Sequence, residues 1–458
     1  MWDEAKHAGI EIDYEKLEKI LHVPIVPTVA LTGEGIKKLT SRIKEAKPLR
    51  IKPFGEKEKW AKISEIVKTV QKVKHRHHTF QERLAKATVK PATGIPIALI
   101  IITLSFWTVR FIGENLIGYI FEPLFELYRP LAMAISKWLD PGFLHNVFIG
   151  KLIEGKIDYV ESMGILTTGL FVPFGMVLPY IIAFYLMLAI LEDSGYLPRL
   201  ATLADNLFHK LGMHGHGIIP VFLGLGCNVP GALSSRVLET RKQRFIAATL
   251  LGIAVPCMAQ IAMIFGVLGS YGLSYIFIVF TTLLVLYVVA GLVLNKFVKG
   301  ESPEIFLEIP PYRRPLFKAV FKKTWMRIRW FLTEAIPWLF LGVLLVSILY
   351  TIGFLEWIGT FFAPIIKGWF GLPKEATTAL LIGFLRKDLA VGMLLPLGMN
   401  AMQLVIAVVI LTIYFPCVAT FAVLMKELGV KDMAKSTAIM ILTALVIGGI
   451  MRLILIGI

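Results

Sequence analysis

The chain has 458 residues, of which 56% are hydrophobic and only 17% are charged, and its formal net charge is +16. Soluble domains carry charge on about a quarter of their residues, so this composition excludes an ordinary soluble globule. The positive charge is concentrated between Lys52 and Lys90 and in two loops, Arg236–Arg244 and Lys296–Arg329. Short loops rich in Lys and Arg mark the cytoplasmic side of a membrane protein, and this placement argues against binding to nucleic acid.

The first 48 residues have the pattern of a small α/β fragment. Residues 13–21 (DYEKLEKIL) and 36–46 (IKKLTSRIKEA) predict amphipathic helices, and residues 24–30 (PIVPTVA) predict a strand between them. Such a helix–strand–helix unit is too small to bury a stable core by itself. Residues 49–93 follow as a basic stretch that predicts a helical linker.

Residues 94–458 predict a transmembrane transport domain, because apolar runs of about 20 residues recur there and about 20 residues span a bilayer core. Spans are expected near 95–120, 165–191, 245–269, 272–297, 331–352, 402–425 and 436–457. Two further apolar stretches, 217–233 and 376–398, are interrupted by Gly, Pro or charge, and a weaker patch near 124–138 is expected along the membrane interface. The predicted fold class is therefore an all-α polytopic membrane protein preceded by a small α/β remnant.

The spans form an internal repeat, with repeat one at about 165–297 and repeat two at about 331–457. Residues 212–231 (GMHGHGIIPVFLGLGCNVPG) align with 371–390 (GLPKEATTALLIGFLRKDLA), and AVPCMAQIAMIF at 254–265 aligns with YFPCVATFAVLM at 414–425. If both interrupted stretches are re-entrant, the basic cytoplasmic loops orient the two repeats oppositely. Inverted repeats with broken segments that meet at the midplane are typical of transporters.

The first interrupted stretch predicts a gate formed by Gly226, Cys227, Asn228, Pro230 and Gly231. Irregular backbone at membrane depth is tolerated only where it is buried in protein or lines a watery cavity. We therefore expect its freed carbonyl and N–H groups to meet a permeating ion, with Cys227 offering a sulfur ligand and Asn228 an amide.

The second gate is predicted around Gly383, which aligns with Gly224, and the adjacent charges Arg386, Lys387 and Asp388. One charged residue at the centre of a membrane helix costs about 2.5–3.5 kcal/mol. We therefore expect these three side chains to pair with one another and to face a cavity. The alternative is that the stretch is an interfacial loop.

Cys257 and Cys417 each follow a proline in the middle of a span, at equivalent positions of the two repeats. A single membrane Cys is commonly a small packing residue, but together with Cys227 these two predict a thiol-lined route. Thiolates suit transition metals rather than Na⁺, Mg²⁺ or Ca²⁺. The residues by themselves thus predict a cation path, with a transition metal favoured.

Five polar residues near span ends are weaker candidates for contact with an ion: His214, His216, Glu192, Asp193 and Glu334. Turn formation or headgroup contact explains the two histidines equally well. The three acids have the positions of ordinary span termini.

Residues 191–239 (LEDSGYLPRLATLADNLFHKLGMHGHGIIPVFLGLGCNVPGALSSRVLE) closely resemble the bacterial and archaeal ferrous iron transport protein B, whose Gly-Cys-Asn-Val-Pro gate motif matches residues 226–230 without gaps. Residues 383–394 (GFLRKDLAVGML) are similar to the second gate motif of that family, which commonly carries Lys-Glu. Lys387 matches the Lys, and Asp388 stands in place of the Glu. The resemblance covers essentially the whole chain and implies uptake of Fe²⁺ by a multi-pass protein of the cytoplasmic (inner) membrane with a cytoplasmic N-terminus.

The family begins with a GTPase domain, of which residues 1–48 resemble only the last third. Asp3 matches the Asp of the base-reading Asn-Met-x-Asp motif, and Ala30 and Gly33 match the later Ser-Ala-x-x-Gly loop. The sequence contains no G-x-x-x-x-G-K-[ST] phosphate loop. We therefore expect a transporter that is not an enzyme as it stands, with no permanently bound cofactor and with GTP and Mg²⁺ used only if a complete GTPase domain is supplied.

The resemblance implies Fe²⁺ as the transported substrate and the lipid bilayer as the surroundings. It is compatible with a missing or separate GTPase part, a small cytosolic accessory protein and a homo-oligomer. Two alternatives stay open. One is a transporter of nucleosides or other organic solutes with a related gate fold, which would not need the thiols. The other is a membrane-bound, nucleotide-sensing signalling protein, in which the broken segments would have no purpose.

Overall fold

The computed structural model describes residues 2–7, 9–30, 32–46, 56–73, 80–139, 142–153, 155–159, 162, 164–300, 309, 312–334, 336–383 and 387–457. The predicted gate residue Arg386 and the linker residues 47–55 and 74–79 lie outside these ranges. The chain divides into two compact units, Met1–Lys86 and Ala87–Ile458. The sequence-based domain limits after residues 48 and 93 stay predictions.

The first unit combines short helices with a two-stranded antiparallel sheet. Its elements are α1 (Trp2–His7), β1 (Ile10–Ile12), α2 (Tyr14–Leu21), α3 (Ile36–Arg42), α4 (Glu56–Val70) and β2 (Gln71–Val73), with β1 paired to β2. Helices α2 and α3 confirm the two predicted helices. The strand predicted at 24–30 is wrong, because Pro24 and Pro27 lack the N–H groups that a ladder needs, and the run makes only an isolated bridge at Val29.

The second unit is built from helices, and α5 (Phe80–Val89) crosses the division between the units. The helices that follow are α6 (Pro91–Leu116), α7 (Glu122–Trp138), α8 (Phe143–Phe148), α9 (Thr168–Leu170), α10 (Leu178–Asp193), α11 (Tyr196–Lys210), α12 (Ile218–Gly226), α13 (Asn228–Ser234), α14 (Arg241–Ala254), α15 (Met258–Leu268), α16 (Leu273–Phe297), α17 (Phe317–Glu334), α18 (Ile336–Thr351), α19 (Phe354–Phe370), α20 (Ala376–Gly383), α21 (Lys387–Leu394), α22 (Ala401–Ile413), α23 (Val418–Leu428) and α24 (Val430–Leu455).

Within the described residues, six helical stretches are long and apolar enough to cross a membrane: Pro91–Trp138, Thr168–Asp193, Arg241–Leu268, Leu273–Phe297, Ala401–Leu428 and Val430–Leu455. They confirm the class of an all-α polytopic membrane protein. The first is 48 residues long, because a π-helical turn at Ile117–Phe121 joins α6 to α7, and the predicted interfacial patch forms its end. The span predicted at 331–352 corresponds to the end of α17 and to α18, whose apolar part is shorter.

The first interrupted stretch folds as two short helices, α12 and α13, that pack against each other. The helices are separated at Cys227, whose backbone is extended (φ −155°, ψ 132°). Pro230 lies in the first turn of α13, where a helix has no internal acceptor for its N–H groups, so the proline costs no hydrogen bond there. The sequence thus ends one helix and starts the next at the same residue.

Small residues let the two helices of each interrupted stretch approach closely. A Cβ built on Gly231 of α13 would lie 2.9 Å from the Cα of Gly224 in α12. In the second interrupted stretch, α20 and α21 make the corresponding contact, since a Cβ built on Gly383 would lie 3.0 Å from the Cβ of Ala390. The aligned residues of the two repeats therefore occupy corresponding places in two similar helix pairs.

Each repeat also contains a span that is broken at its Pro-Cys pair. Helix α14 ends at Ala254 and α15 begins after Cys257, and α22 ends at Ile413 while α23 begins after Cys417. Proline removes a helical donor and its ring clashes with the preceding turn, which explains the break at equivalent points. Cys257 and Cys417 both become the residue that precedes a new helix.

The two repeats pack on each other reciprocally. Helix α13 contacts α23 and α21 contacts α15, while α14 contacts α24 and α22 contacts α16. Helices α14 and α22 are almost entirely buried at the centre of the unit. A two-fold relation between the repeats produces such an exchange, and the inversion of the repeats across the membrane stays a prediction.

Candidate functional site

A cavity of about 190 Å³ lies where the two interrupted stretches meet the two broken spans. The sequence contains three cysteines, and all three line this cavity. Its polar lining also includes Asn228, Gln260 and Lys387, and the rest is mainly aliphatic and aromatic. The cysteines are partly buried and none forms a disulfide. Residues from both interrupted stretches and from both Pro-Cys breaks are thus brought to one place.

The thiols and amides of the cavity are held by local contacts. The main-chain N–H of Cys257 donates to Oε1 of Gln260 at 2.9 Å, and Sγ of Cys417 lies 3.1 Å from the hydroxyl of Thr420. Asn228 is 6% exposed, and its Nδ2 donates to the carbonyl oxygen of Val255 at 3.3 Å. Among the described residues, Oδ1 of Asn228 and Nε2 of Gln260 are buried and have no hydrogen-bond partner.

Lys387 is 7% exposed and lines the same cavity as the thiols. Its Nζ donates to the carbonyl oxygen of Thr412 at 3.0 Å. Thr412 lies four residues before Pro416, which has no N–H, so this carbonyl lacks its helical donor. Lysine is almost never fully buried unless it is paired. Here its ammonium group is paired with a carbonyl oxygen that has no helical donor because α22 ends before Pro416.

The pairing predicted among the three adjacent charges lies partly outside the described residues. Arg386 is not described, and Asp388 is described only as part of the backbone of α21. The contact with Thr412 shows a different partner for Lys387, which the sequence did not indicate.

The described residues contain no group of three or more His, Cys, Asp or Glu side chains arranged to hold a metal ion. The three thiols line one cavity, and a route for an ion through it stays a prediction.

Glycines of the two interrupted stretches make room for bulky neighbours. A Cβ on Gly226 would lie 2.4 Å from the ring of Phe184. A Cβ on Gly224 would lie 2.2 Å from a methyl carbon of Leu251, and a Cβ on Gly383 would lie 2.3 Å from one of Leu411. Substitution at these positions would push the helix pairs away from the central helices.

A second cavity, of about 520 Å³, adjoins the first along α10 and the α12–α13 pair. Its lining includes Glu192, His216, Pro230, Arg236 and Arg327. It is therefore more polar and more charged than the thiol-lined cavity.

The two candidate histidines form a turn. The Nδ1 atom of His214 accepts from the main-chain N–H of His216 at 3.3 Å, and the two rings lie 5.2 Å apart. Burial, and next the neighbouring His216, lower the pKa of His214 below its usual value. His214 thus takes part in a turn, which was the explanation of this residue offered beside ion binding. His216 lines the second cavity.

The three candidate acids make ion pairs at the ends of spans. Glu192 binds Arg327 at 2.6 Å and Lys323 at 3.2 Å, and Asp193 lies 3.5 Å from Lys323. Glu334 pairs with Lys426. None of the three acids lines the thiol-lined cavity, so their part in ion movement stays a prediction.

The residues that resemble a nucleotide-binding loop form a turn in the first unit. Gly33 has positive φ (78°), and its N–H donates to the carbonyl of Val29 at 3.0 Å. Ala30 is exposed in this turn, and Asp3 lies in α1. A role for Asp3, Ala30 and Gly33 towards a nucleotide stays a prediction.

Sequence reasoning missed Gln260 and Phe184. Gln260 had a readable signal, because a lone amide three residues after Cys257 in an apolar span suits a helix cap. Phe184 had none, since one aromatic residue among many in an apolar helix carries no pattern.

Three family models match the chain. The family described as "Gate: Nucleoside recognition" matches residues 174–271 and 332–431, which lie in the two repeats. "Ferrous iron transport protein B C terminus" matches residues 276–327, and "Ferrous iron transport protein B" matches residues 1–43.

Curated proteins named "Fe(2+) transporter FeoB" are similar to this chain. The protein of Staphylococcus aureus (strain MSSA476) is 23% identical over 93% of this chain and 78% of its own length. That of Synechocystis is 25% identical over 97% and 75%, and that of Methanocaldococcus jannaschii is 28% identical over 68% and 52%. No solved structure matches the chain significantly.

Proposed function

Because the chain belongs to the family of ferrous iron transport protein B, we propose that it carries Fe²⁺ across the cytoplasmic membrane and that the ion passes through the thiol-lined cavity. The observation that carries this proposal is the meeting of all three cysteines in one cavity between the two repeats. The names of the curated relatives supply the identity of the ion.

The lining supports an ion of intermediate softness. Sulfur ligands favour transition metals over Na⁺, Mg²⁺ and Ca²⁺, and affinity at a given site rises from Mn²⁺ through Fe²⁺ towards Cu²⁺. The buried Oδ1 of Asn228 adds an oxygen acceptor near the thiols. We propose that Fe²⁺ exchanges part of its hydration shell for these groups as it moves between Cys227, Cys257 and Cys417.

The helix breaks support the assignment of gates. Carbonyl groups near Cys227, Pro256 and Pro416 leave the regular helical pattern at the depth of the cavity. In this proposal the α12–α13 pair and the α20–α21 pair are the two opposing gates, and the repeats are inverted. The 458 residues hold no phosphate loop, so coupling to GTP would need phosphate-binding residues from outside them.

A second candidate is an organic solute. The family model that matches both repeats is described as "Nucleoside recognition", and Tyr180, Phe184, Asn228 and Gln260 give the cavity aromatic and amide groups. Three thiols have no purpose in binding a nucleoside, and this favours the metal.

One flux experiment separates these candidates. The full chain is reconstituted in liposomes under reducing conditions, and uptake of Fe²⁺, Mn²⁺, Zn²⁺ and uridine is compared with empty liposomes. Fe²⁺ uptake without uridine uptake is expected. Uridine uptake without metal uptake would replace the proposal by the second candidate.

A further inference from the structure

The thiol-lined cavity and the second cavity adjoin each other along two elements. In α10, Phe184 lines the first cavity and the next residue, Tyr185, lines the second. In the α12–α13 pair, Val229 lines the first and Pro230 the second. The two cavities share no lining residue among those described, so a thin wall separates them at this level.

Together the cavities follow the helical stretch Thr168–Asp193, which is long enough to cross a membrane. Val172 is the first residue of this stretch of chain to line the thiol-lined cavity, and Glu192 is the last to line the second. Residues Phe171–Val177 of this stretch form a π-helix, and Leu178–Asp193 form α10. The two cavities thus have the length and order of two halves of one path.

The ring of Phe184 lies at the wall between them. Phe184 is 7% exposed, and the ring packs on Gly226, where a Cβ would approach it to 2.4 Å. Gly226 is the last residue of α12 and directly precedes Cys227. The ring therefore fills the space between α10 and the turn of the α12–α13 pair, beside the first thiol.

We propose that the Phe184 ring is the closed barrier of the path and that the second cavity is the vestibule beyond it. An apolar constriction stops a hydrated ion because water leaves it, and the Phe184 ring packs directly on the backbone of Gly226. The barrier opens when the ring moves off Gly226, and the ion then passes from Cys227 towards Pro230. This inference rests on the proposed path, but its test needs no iron.

The chain offers a built-in reporter, because its three cysteines all line the thiol-lined cavity. In a chain with Cys257→Ser and Cys417→Ser, Cys227 is the remaining thiol, and its rate of modification by a charged, membrane-impermeant methanethiosulfonate reports access from each side of a vesicle. A second chain with all three cysteines changed to Ser and with Val237→Cys identifies the vestibule side, since Val237 is exposed and lines the second cavity.

We expect Phe184→Ala to speed modification of Cys227 from the vestibule side at least tenfold. Gly226→Ala should act in the same direction while Phe184 itself is kept, because the added Cβ would lie 2.4 Å from the ring and displace it. Phe265→Ala removes a comparable ring from the exposed side of α15, where it lines neither cavity, and should leave the rate from the vestibule side unchanged.

Equal rates for Phe184→Ala and its parent would overturn the barrier, whether or not the chain transports Fe²⁺. Should Phe184→Ala fail to yield monodisperse protein, Phe184→Val and Gly226→Ala decide the question in its place. Faster modification combined with absent Fe²⁺ flux would keep the barrier and reject the proposed substrate.

Discussion

Asn228 and Lys387 hold the same position in the two repeats, and each donates a hydrogen bond to a carbonyl beside a broken span. Asn228 is the first residue of α13, and Lys387 lies at the aligned position, in α21. The amide of Asn228 reaches the carbonyl of Val255 at 3.3 Å, and the ammonium of Lys387 reaches that of Thr412 at 3.0 Å. The helix pairs are thereby tied to the Pro-Cys breaks around the cavity that all three thiols line.

The first prediction concerns the contact between Lys387 and Thr412. Lys387→Met keeps the length of the side chain but leaves the buried carbonyl of Thr412 without its donor, and an unsatisfied buried group costs about 1–3 kcal/mol. We expect a lower apparent melting temperature of the purified chain in detergent. Lys374→Met, at an exposed lysine of the same repeat, should leave the melting temperature unchanged, and equal behaviour of both variants would contradict the structural role of Lys387.

The second prediction concerns the thiols. Cys227→Ser replaces a soft sulfur by a hard oxygen of similar size, so Fe²⁺ uptake should fall about tenfold relative to Mn²⁺ uptake, a difference of about 1.4 kcal/mol. The melting temperature should stay close to that of the parent. Ala259→Ser adds a hydroxyl to the same cavity but keeps every thiol, and it should preserve the Fe²⁺ to Mn²⁺ ratio. An unchanged ratio in Cys227→Ser would make this residue a packing residue.

The third prediction concerns the close approach of α12 and α13. Gly231→Ala would place a Cβ 2.9 Å from the Cα of Gly224 and 3.0 Å from the carbonyl oxygen of Pro220. Main-chain atoms cannot turn away as a side chain can, so overpacking should cost about 1–3 kcal/mol. Gly266→Ala, in α15 with open space around it, should raise stability slightly because alanine is the better helix former. Thermal unfolding in the same detergent measures both effects: the melting temperature should fall for Gly231→Ala and rise slightly for Gly266→Ala.

The fourth prediction concerns an ion pair between the repeats. Arg236 donates two hydrogen bonds to the carboxylate of Glu427, at 2.7 and 2.6 Å, which raise the pKa of Arg236 above its usual value. The arginine side chain is 55% exposed, so Arg236→Glu should cost about 0.2–1 kcal/mol, and less at high salt. The double variant with Glu427→Arg should recover most of the loss. A double variant that is less stable than Arg236→Glu alone would show that geometry, not charge, decides this contact.

The repeat made the helix breaks predictable. Aligning Gly224 with Gly383 and Cys257 with Cys417 indicated where helices stop, because glycine and proline act through the local backbone. The same signal failed at residues 24–30, where prolines outweighed the β-branched composition. Structural features that depend on residues close together in the chain can thus be predicted from the sequence.

Contacts between distant residues were not readable. Lys387 donates to the carbonyl of Thr412, which lies 25 residues away, and no pattern around Lys387 pointed to this partner. The contact between Phe184 and Gly226 depends on how α10 packs against α12, and this packing cannot be predicted from the two residue types. The sequence indicated which chemistry lines the path, and only the packing of helices shows which side chains hold it and close it.

Complete alkylation of the three thiols is the strongest test of an Fe²⁺ path through the thiol-lined cavity, because the chain has no cysteine outside this cavity. Fe²⁺ influx into liposomes is measured before and after treatment with a small membrane-permeant maleimide, with modification of Cys227, Cys257 and Cys417 verified by mass spectrometry. We expect influx to stop, since the added groups fill a cavity of about 190 Å³ and remove its sulfur ligands. Undiminished Fe²⁺ influx through a fully alkylated chain would contradict a path through this cavity.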